Sequence, residues 1–141
     1  MSDTHALDRF VEAQDGGGTY ERALAELRRG RKVSHWMWFV FPQIAGLGMS
    51  PTSQRYAIAD LGEARAYLDH PVLGPRLLEC ARVVADSEAP SARALFGGID
   101  AMKLRSSMTL FARAAPHEHV FTQVLDRYFG GAPDPATDAR L

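Results

Sequence analysis

A mainly α, single-domain fold is what this sequence predicts, and three observations carry that expectation. Apolar residues recur at three- and four-residue spacing through most of the chain, the signature of amphipathic helices. Helix-start and helix-stop residues punctuate those stretches, among them Gly30, Asp60, Pro71 and Gly130. Strand character is confined to the run at 36–41, and a lone strand has no partner to pair with. At 141 residues the chain is long enough to bury about two-thirds of its unfolded surface in one domain. The expected architecture is a compact bundle of about six helices over residues 3–131, joined through a Trp-rich extended connector, with a polar tail at 132–141 that is loosely attached.

Leu7, Phe10, Val11 and Gln14 place an apolar stripe on a short first helix, closed by Asp15-Gly16-Gly17-Gly18. Thr19 is the expected N-cap of the next, with Tyr20, Leu24 and Leu27 on its buried face and Gly30 at its C-terminal stop. The aromatic run WMWFVF follows and stops at Pro42. It reads as a buried connector, extended or a single turn, and the Gly-, Ser- and Pro-rich stretch after it reads as loop. Asp60 and Glu63 have capping-box spacing before ARAYLDH. His70-Pro71 restarts the chain, and Pro75 sets the start of the helix that carries Leu77, Cys80 and Val84. Asp100 is the expected cap of AMKLRSSMTLFARA, with Met102, Leu104, Met108 and Phe111 inside. Pro116 opens the last helix, which ends at Gly130-Gly131.

Composition excludes several classes of function. A net charge of −1 provides no global field toward nucleic acid or an anionic membrane. Arg28-Arg29-Gly30-Arg31-Lys32 is the only local basic cluster, so nucleic-acid binding is the weakest of the partner readings. The single cysteine, Cys80, cannot form an internal disulfide, which fits a reducing cytoplasm, and its apolar neighbours predict a buried thiol rather than a nucleophile. The N-terminus MSDTHALDRF lacks a signal-peptide pattern, and WMWFVF is too short to span a bilayer. His117 and His119 are two apart and have no metal-ligand pattern around them, so neither a metal nor a cofactor is expected. The chain is expected to be cytoplasmic, as a monomer or a homodimer.

Two clusters bear on chemistry. In KVSHWMWFVFPQ, Lys32, His35 and Gln43 edge a block containing Trp36 and Trp38. A cation beside indole faces can hold a phosphate while a ring stacks a base, worth roughly 1–3 kcal/mol per base. A plain core location is the commoner outcome for such a run. In DAMKLRSSMT, Asp100, Lys103, Ser106 and Ser107 lie within helical reach of one another, and lysine near serine can act as a base. A capping aspartate and helix-buried serines account for the same residues without chemistry.

The ordered set YERALAELRRGRKVSHWMWFVFPQIAGLGMSPTSQRYAI, EARAYLDHPVLGPRLLEC, FGGIDAMKLRSSMTLFA and FTQVLDRYFGG resembles the bacterial family known as domain of unknown function 1810, over nearly the whole chain. Members sometimes carry the label calpastatin. The resemblance implies an α-helical fold. HWMWFVFPQ, HPVLGPRLLEC and FGGIDAMKLRSS also show a fainter similarity, in order and character, to the NADAR group, which is linked to ADP-ribose metabolism. Together these imply a small enzyme acting on a nucleotide-like or ADP-ribose-like ligand, with N-glycosidic cleavage as its reaction. Trp36 and Trp38 would stack the ligand and Lys32 and Lys103 would contact phosphate. His35, Asp100 and Lys103 would form the catalytic set, and Gln43, Ser106 and Ser107 would hydrogen-bond the substrate. The alternative is a non-catalytic ligand-binding or protein-interaction module built on the same residues.

Overall fold

The computed structural model describes residues 6–141, and within them every regular element is helical apart from one isolated bridge. The expected domain start at residue 3 lies outside the described residues. Six helices have eight or more residues: α1 (Asp8–Asp15), α2 (Thr19–Arg28), α5 (Leu61–Asp69), α6 (Leu73–Asp86), α8 (Gly98–Ala114) and α9 (His119–Phe129). Four single turns lie between or after them: α3 (Met37–Val40), α4 (Pro51–Arg55), α7 (Ala92–Phe96) and α10 (Pro135–Asp138). α8 is the axis of the bundle, packing against α5, α7, α9 and α10, while α6 packs against α2, α5 and α9. Leu104, Met108, Leu110 and Phe111 of α8 are fully buried, and Phe111 meets both Tyr67 and Phe121 ring to ring.

The local signals explain most boundaries. Asp60 accepts a hydrogen bond from the Glu63 amide at 2.8 Å, as an N-cap should. Glu63 does not complete a capping box on Asp60; its carboxylate accepts from the Ala59 amide and faces Arg9. Pro75 is tolerated because α6 starts only at Leu73, where amides still lack intrahelical partners. The His70 Nδ1 accepts from the amides of Val72 and Leu73 and caps that start. Gly74 is required there by close approach, since a Cβ would overlap the backbone carbonyl of Leu68.

Several expectations are corrected. The Trp-rich segment takes the single-turn form rather than the extended one: Met37–Val40 form a helical turn, flanked by Trp36 and Phe41 in conformations that are neither helical nor extended. A continuous strand there would leave its amides unpaired, whereas the turn bonds Val40 N–H to the Trp36 carbonyl and Phe41 N–H to that of Met37. Thr19 is the first residue of α2 rather than its cap, which is left-handed Gly18. The supposed loop after Pro42 contains α4, capped by Ser50, and the parallel bridge between Ile44 and Ile58. Met102 is not core; it is 73% exposed, because it sits on the outward face of the first turns of α8.

The C-terminal segment is also docked rather than loose. Arg105 donates to the Ala132 and Pro133 carbonyls, Ser106 and Thr109 bond Asp134, and Arg113 pairs with Asp138. Thr137 is fully buried, and the Arg140 guanidinium lies against Gly46.

One polar group inside the fold has unusually dense support. Glu26 is buried, and its carboxylate accepts from the amides of Val33 and Ser34, the Ser34 hydroxyl and the Trp36 indole, at 2.6–2.9 Å. Burial pushes its carboxyl pKa up, but the bonds from Ser34, Val33 and Trp36 outweigh that and bring it from 4.5 down to about 2.

Two outcomes follow for stability. Gly74→Ala is expected to lose about 3 kcal/mol in urea denaturation, because backbone rather than a flexible side chain blocks the added methyl. A folded-state pKa below the unfolded one stabilises the protein above about pH 4.5, and that stability is lost as pH falls toward 2. Glu26→Gln should therefore cost about 3 kcal/mol at neutral pH and flatten the wild-type decline across that acid window.

Candidate functional site

Glu26 fixes the turn at 33–36, and that turn decides where the aromatic segment sends its side chains. Trp36 points inward: it is fully buried, bonded to Glu26 and packed against Phe41 and Phe96. Trp38, two residues on, is only half-buried and faces the N-terminal end of α8. The structure thus separates two tryptophans that the sequence presents as a pair.

Lys32 bridges this segment to α7 and α8. Its amide donates to the Leu95 carbonyl at 2.7 Å, and its ammonium donates to the Ser34 carbonyl at 2.6 Å. The same ammonium pairs with Asp100 Oδ2 at 2.7 Å and lies 5.0 Å from the Trp36 ring centroid. Only 6% of the Lys32 side chain is exposed. Asp100 is not the helix cap: α8 begins at Gly98, after Gly97 with φ 84 and ψ 166, a conformation that glycine alone adopts readily. Asp100 instead turns its second oxygen, Oδ1, toward Lys103 at 3.6 Å. The Lys103 ammonium in turn lies 4.9 Å from the Trp38 ring centroid.

Lys32, His35, Trp38, Asp100 and Lys103 line one cleft of about 400 Å³, completed by Met37 and the turn at 96–99. His35 is exposed at its rim. The amides of Gly98, Ile99 and Asp100 precede the first intrahelical bond, from Ala101 N–H to the Gly97 carbonyl, so the positive end of α8 faces the same space. Two ammonium groups and a helix N-terminus against one carboxylate make the cleft receptive to an anion.

The other expected ligand contacts lie elsewhere. Gln43 lines a separate shallow depression with Gly46, Ser53 and Tyr56, whose only shared wall with the cleft is Trp38. Ser106 faces the C-terminal segment, with its hydroxyl 2.9 Å from Asp134. Ser107 is fully buried, and its hydroxyl has no hydrogen-bond partner among the described residues. Trp36 has no exposed face to offer a base. The Cys80 thiol is buried as expected, and burial pushes its pKa up to about 12, which keeps it protonated and unreactive. Among the described residues no group of three or more histidine, cysteine, aspartate or glutamate side chains is placed to hold a metal ion. No helix among them is long and apolar enough to cross a membrane.

Sequence reasoning missed Glu26 and the Gly97-Gly98 turn. A charged residue on the buried stripe of Tyr20, Ala23 and Leu27 was the available signal for the first. A larger concavity of about 1000 Å³ lies between the end of α2 and α6. Its ionisable lining is Arg28, Arg29 and Arg82 against Glu79, Asp86 and Glu88, a balanced mixture of charge.

Ser107→Ala should be neutral or stabilising by about 1 kcal/mol in thermal denaturation, since it removes a buried hydroxyl that bonds to nothing described. A loss of stability, or of ligand binding, would show that the hydroxyl has work in the folded protein.

Comparison with known proteins supplies the family. The family model described as "Protein of unknown function (DUF1810)" matches residues 4–141. Among solved structures, the crystal structure of the conserved hypothetical protein Rv1873 from Mycobacterium tuberculosis is similar, with a TM-score of 0.95 and 50% identity. The similarity covers 99% of this chain and 98% of that one. No curated protein matches the chain. The likeness to the NADAR group is not shown by these comparisons. Nearly every residue from the first helix to the C-terminal brace falls within the matched span, and the chain belongs to the DUF1810 family of proteins of unknown function.

Proposed function

We propose that the chain binds a small nucleotide-like anion in the cleft beside the start of α8. The observation that carries the reading is the convergence of Trp38, Lys103, Asp100 and His35, from two segments distant in sequence, on one concavity of about 400 Å³. That volume lies within the range of small-molecule sites, roughly 300–1,000 Å³. Each group has a role suited to such a ligand. Trp38 offers a ring face, Lys103 and the amides of α8 offer donors to an anion, and the Asp100 carboxylate accepts hydroxyl protons.

The finer reading is hydrolysis of an N-glycosidic bond in a nucleotide-like or ADP-ribose-like ligand. Water would add across the bond, its hydroxyl going to the sugar carbon and its proton to the departing nitrogen. His35 and Asp100 are the groups available to orient that water. One observation favours a binding module without turnover: Asp100 already faces two ammonium groups, at 2.7 Å and 3.6 Å, so both of its oxygens are engaged within the protein before a ligand enters.

Calorimetric titration with AMP, ADP-ribose and NAD tests the reading, with products followed by mass spectrometry. Saturable binding that weakens about tenfold in Trp38→Ala is the expected result. Folded protein that shows no saturation with any of the three at about 1 mM would end the proposal. Release of free base would establish the hydrolase reading, and retained binding without release would establish the non-catalytic one.

A further inference from the structure

We infer that the cleft is built for a ligand with one planar ring and one anionic group, and that the ring enters by displacing the Lys103 ammonium from the face of Trp38. The inference rests on the nucleotide-like reading above and narrows it by counting which groups remain free.

Among the described residues, only one tryptophan face is available to the cleft. Trp36 is fully buried and its indole N–H is committed to Glu26. Beyond the cleft, Trp38 also walls the depression lined by Gln43, Gly46 and Tyr56, but that space holds only about 10 Å³, less than an aromatic ring needs. The face of Trp38 toward the cleft is the remaining platform.

Among the described residues lining the cleft, one ammonium is available as well. Lys32 has three ammonium protons. Ser34 O and Asp100 Oδ2 take two at 2.6 Å and 2.7 Å, and the Trp36 ring lies against the ammonium at 5.0 Å. With 6% of its side chain exposed, Lys32 is a strut of the site rather than a ligand contact. Lys103 differs on each point. Its distance to Asp100, 3.6 Å, is too long for a good hydrogen bond, and 22% of its side chain is exposed. Among the described residues no arginine lines the cleft, and the remaining titratable group there is His35, at the rim.

The free cation and the free ring face occupy the same seat, because the Lys103 ammonium stands 4.9 Å over Trp38. A ring stacking on Trp38 must expel that ammonium, and the flexible four-carbon stem of lysine lets it turn to an anionic group on the same ligand. Lys103 therefore acts with opposite sign on two kinds of ligand. It opposes an uncharged ring, which takes away its cation–π contact and returns nothing. It favours a ring that carries an anion, which replaces that contact with a charge-assisted bond. With one such ammonium, a second phosphate meets no further free side-chain cation of this kind, and the amides at the start of α8 are shared with the first.

The test titrates the full chain with AMP, adenosine and ADP-ribose, using calorimetry for the anions and ligand-observed NMR for adenosine. The variants are Lys103→Met, which keeps length without charge, and Lys103→Arg, which keeps charge. Thermal denaturation confirms that both fold. In Lys103→Met, AMP should bind about tenfold more weakly and adenosine about threefold more tightly. Lys103→Arg should hold both affinities within about threefold, and wild-type protein should bind ADP-ribose no better than AMP by the same margin. The inference is overturned if Lys103→Met weakens adenosine, if it leaves AMP unchanged, or if ADP-ribose binds wild type about tenfold tighter than AMP. Any of these, with AMP still bound, leaves the nucleotide-like reading standing. Wild-type protein that binds none of the three overturns both.

Discussion

A single buried carboxylate organises the half of the molecule that carries the site. An ionised glutamate taken out of water costs several kcal/mol unless its lone pairs are filled. Glu26 meets that demand with four donors, all from the segment that follows α2. Two are backbone amides, so the bonds dictate chain path as well as side-chain position. The chain leaves α2 at Gly30, whose φ of 80 reverses its direction, and wraps the carboxylate with residues 33–36. The indole of Trp36 is the fourth donor, and its burial is the consequence of that bond. Val33, His35 and, further on, Trp38 are left toward the outside of the wrap.

The wrapped segment is then strapped to α8 through Lys32. One anchor is a backbone bond to Leu95 at the end of α7, the other the ion pair with Asp100 in the first turn of α8. Between those anchors lies Gly97, whose backbone conformation turns α7 into α8 without a side chain in the way. A charge pair with so little exposure is poor evidence of stabilisation in itself, because desolvation offsets the attraction. Its clearer effect is geometric. It brings the aromatic segment and the start of α8 to a fixed separation, and the cleft is the space left between them.

These two devices explain what the sequence disclosed and what it concealed. Helices announced themselves through spacing and punctuation: Gly30 and Gly130 take positive φ at helix ends, Asp60 caps α5, and α6 starts beside Pro75. The convergence of Lys32, His35, Trp38, Asp100 and Lys103 was legible as two polar-edged clusters, though nothing in either cluster specified their contact. Trp36 and Trp38 could not be told apart, because the deciding partner, Glu26, lies ten residues before Trp36 on α2, and no local spacing links the two. Met102 was placed inside with Leu104, Met108 and Phe111, but it stands two residues from Leu104 and so on the other side of the helix; the buried stripe runs back through Ala101. The polar tail looked expendable because its composition carries no apolar anchor. It is held by hydrogen bonds and an ion pair, which composition does not reveal.

The polar residues of α8 show how one helix can serve three environments. Successive residues are turned by about 100°, so neighbours in sequence rarely share a destination. Asp100 and Lys103, three apart, fall on one face and look into the cleft. Ser107, four beyond Lys103, continues that face but lies deeper, where the bundle closes over it and no ligand reaches. Ser106 and Thr109 fall on another face and bind the C-terminal segment through Asp134, flanked by Arg105 and Arg113. The serine pair that resembled a ligand-binding motif is therefore two unrelated positions. The same geometry separates the functions, for the brace that holds the C-terminal segment uses none of the groups that face the cleft. Changes at the Asp134 anchor act on the C-terminal brace, and changes at Lys103 act on the cleft.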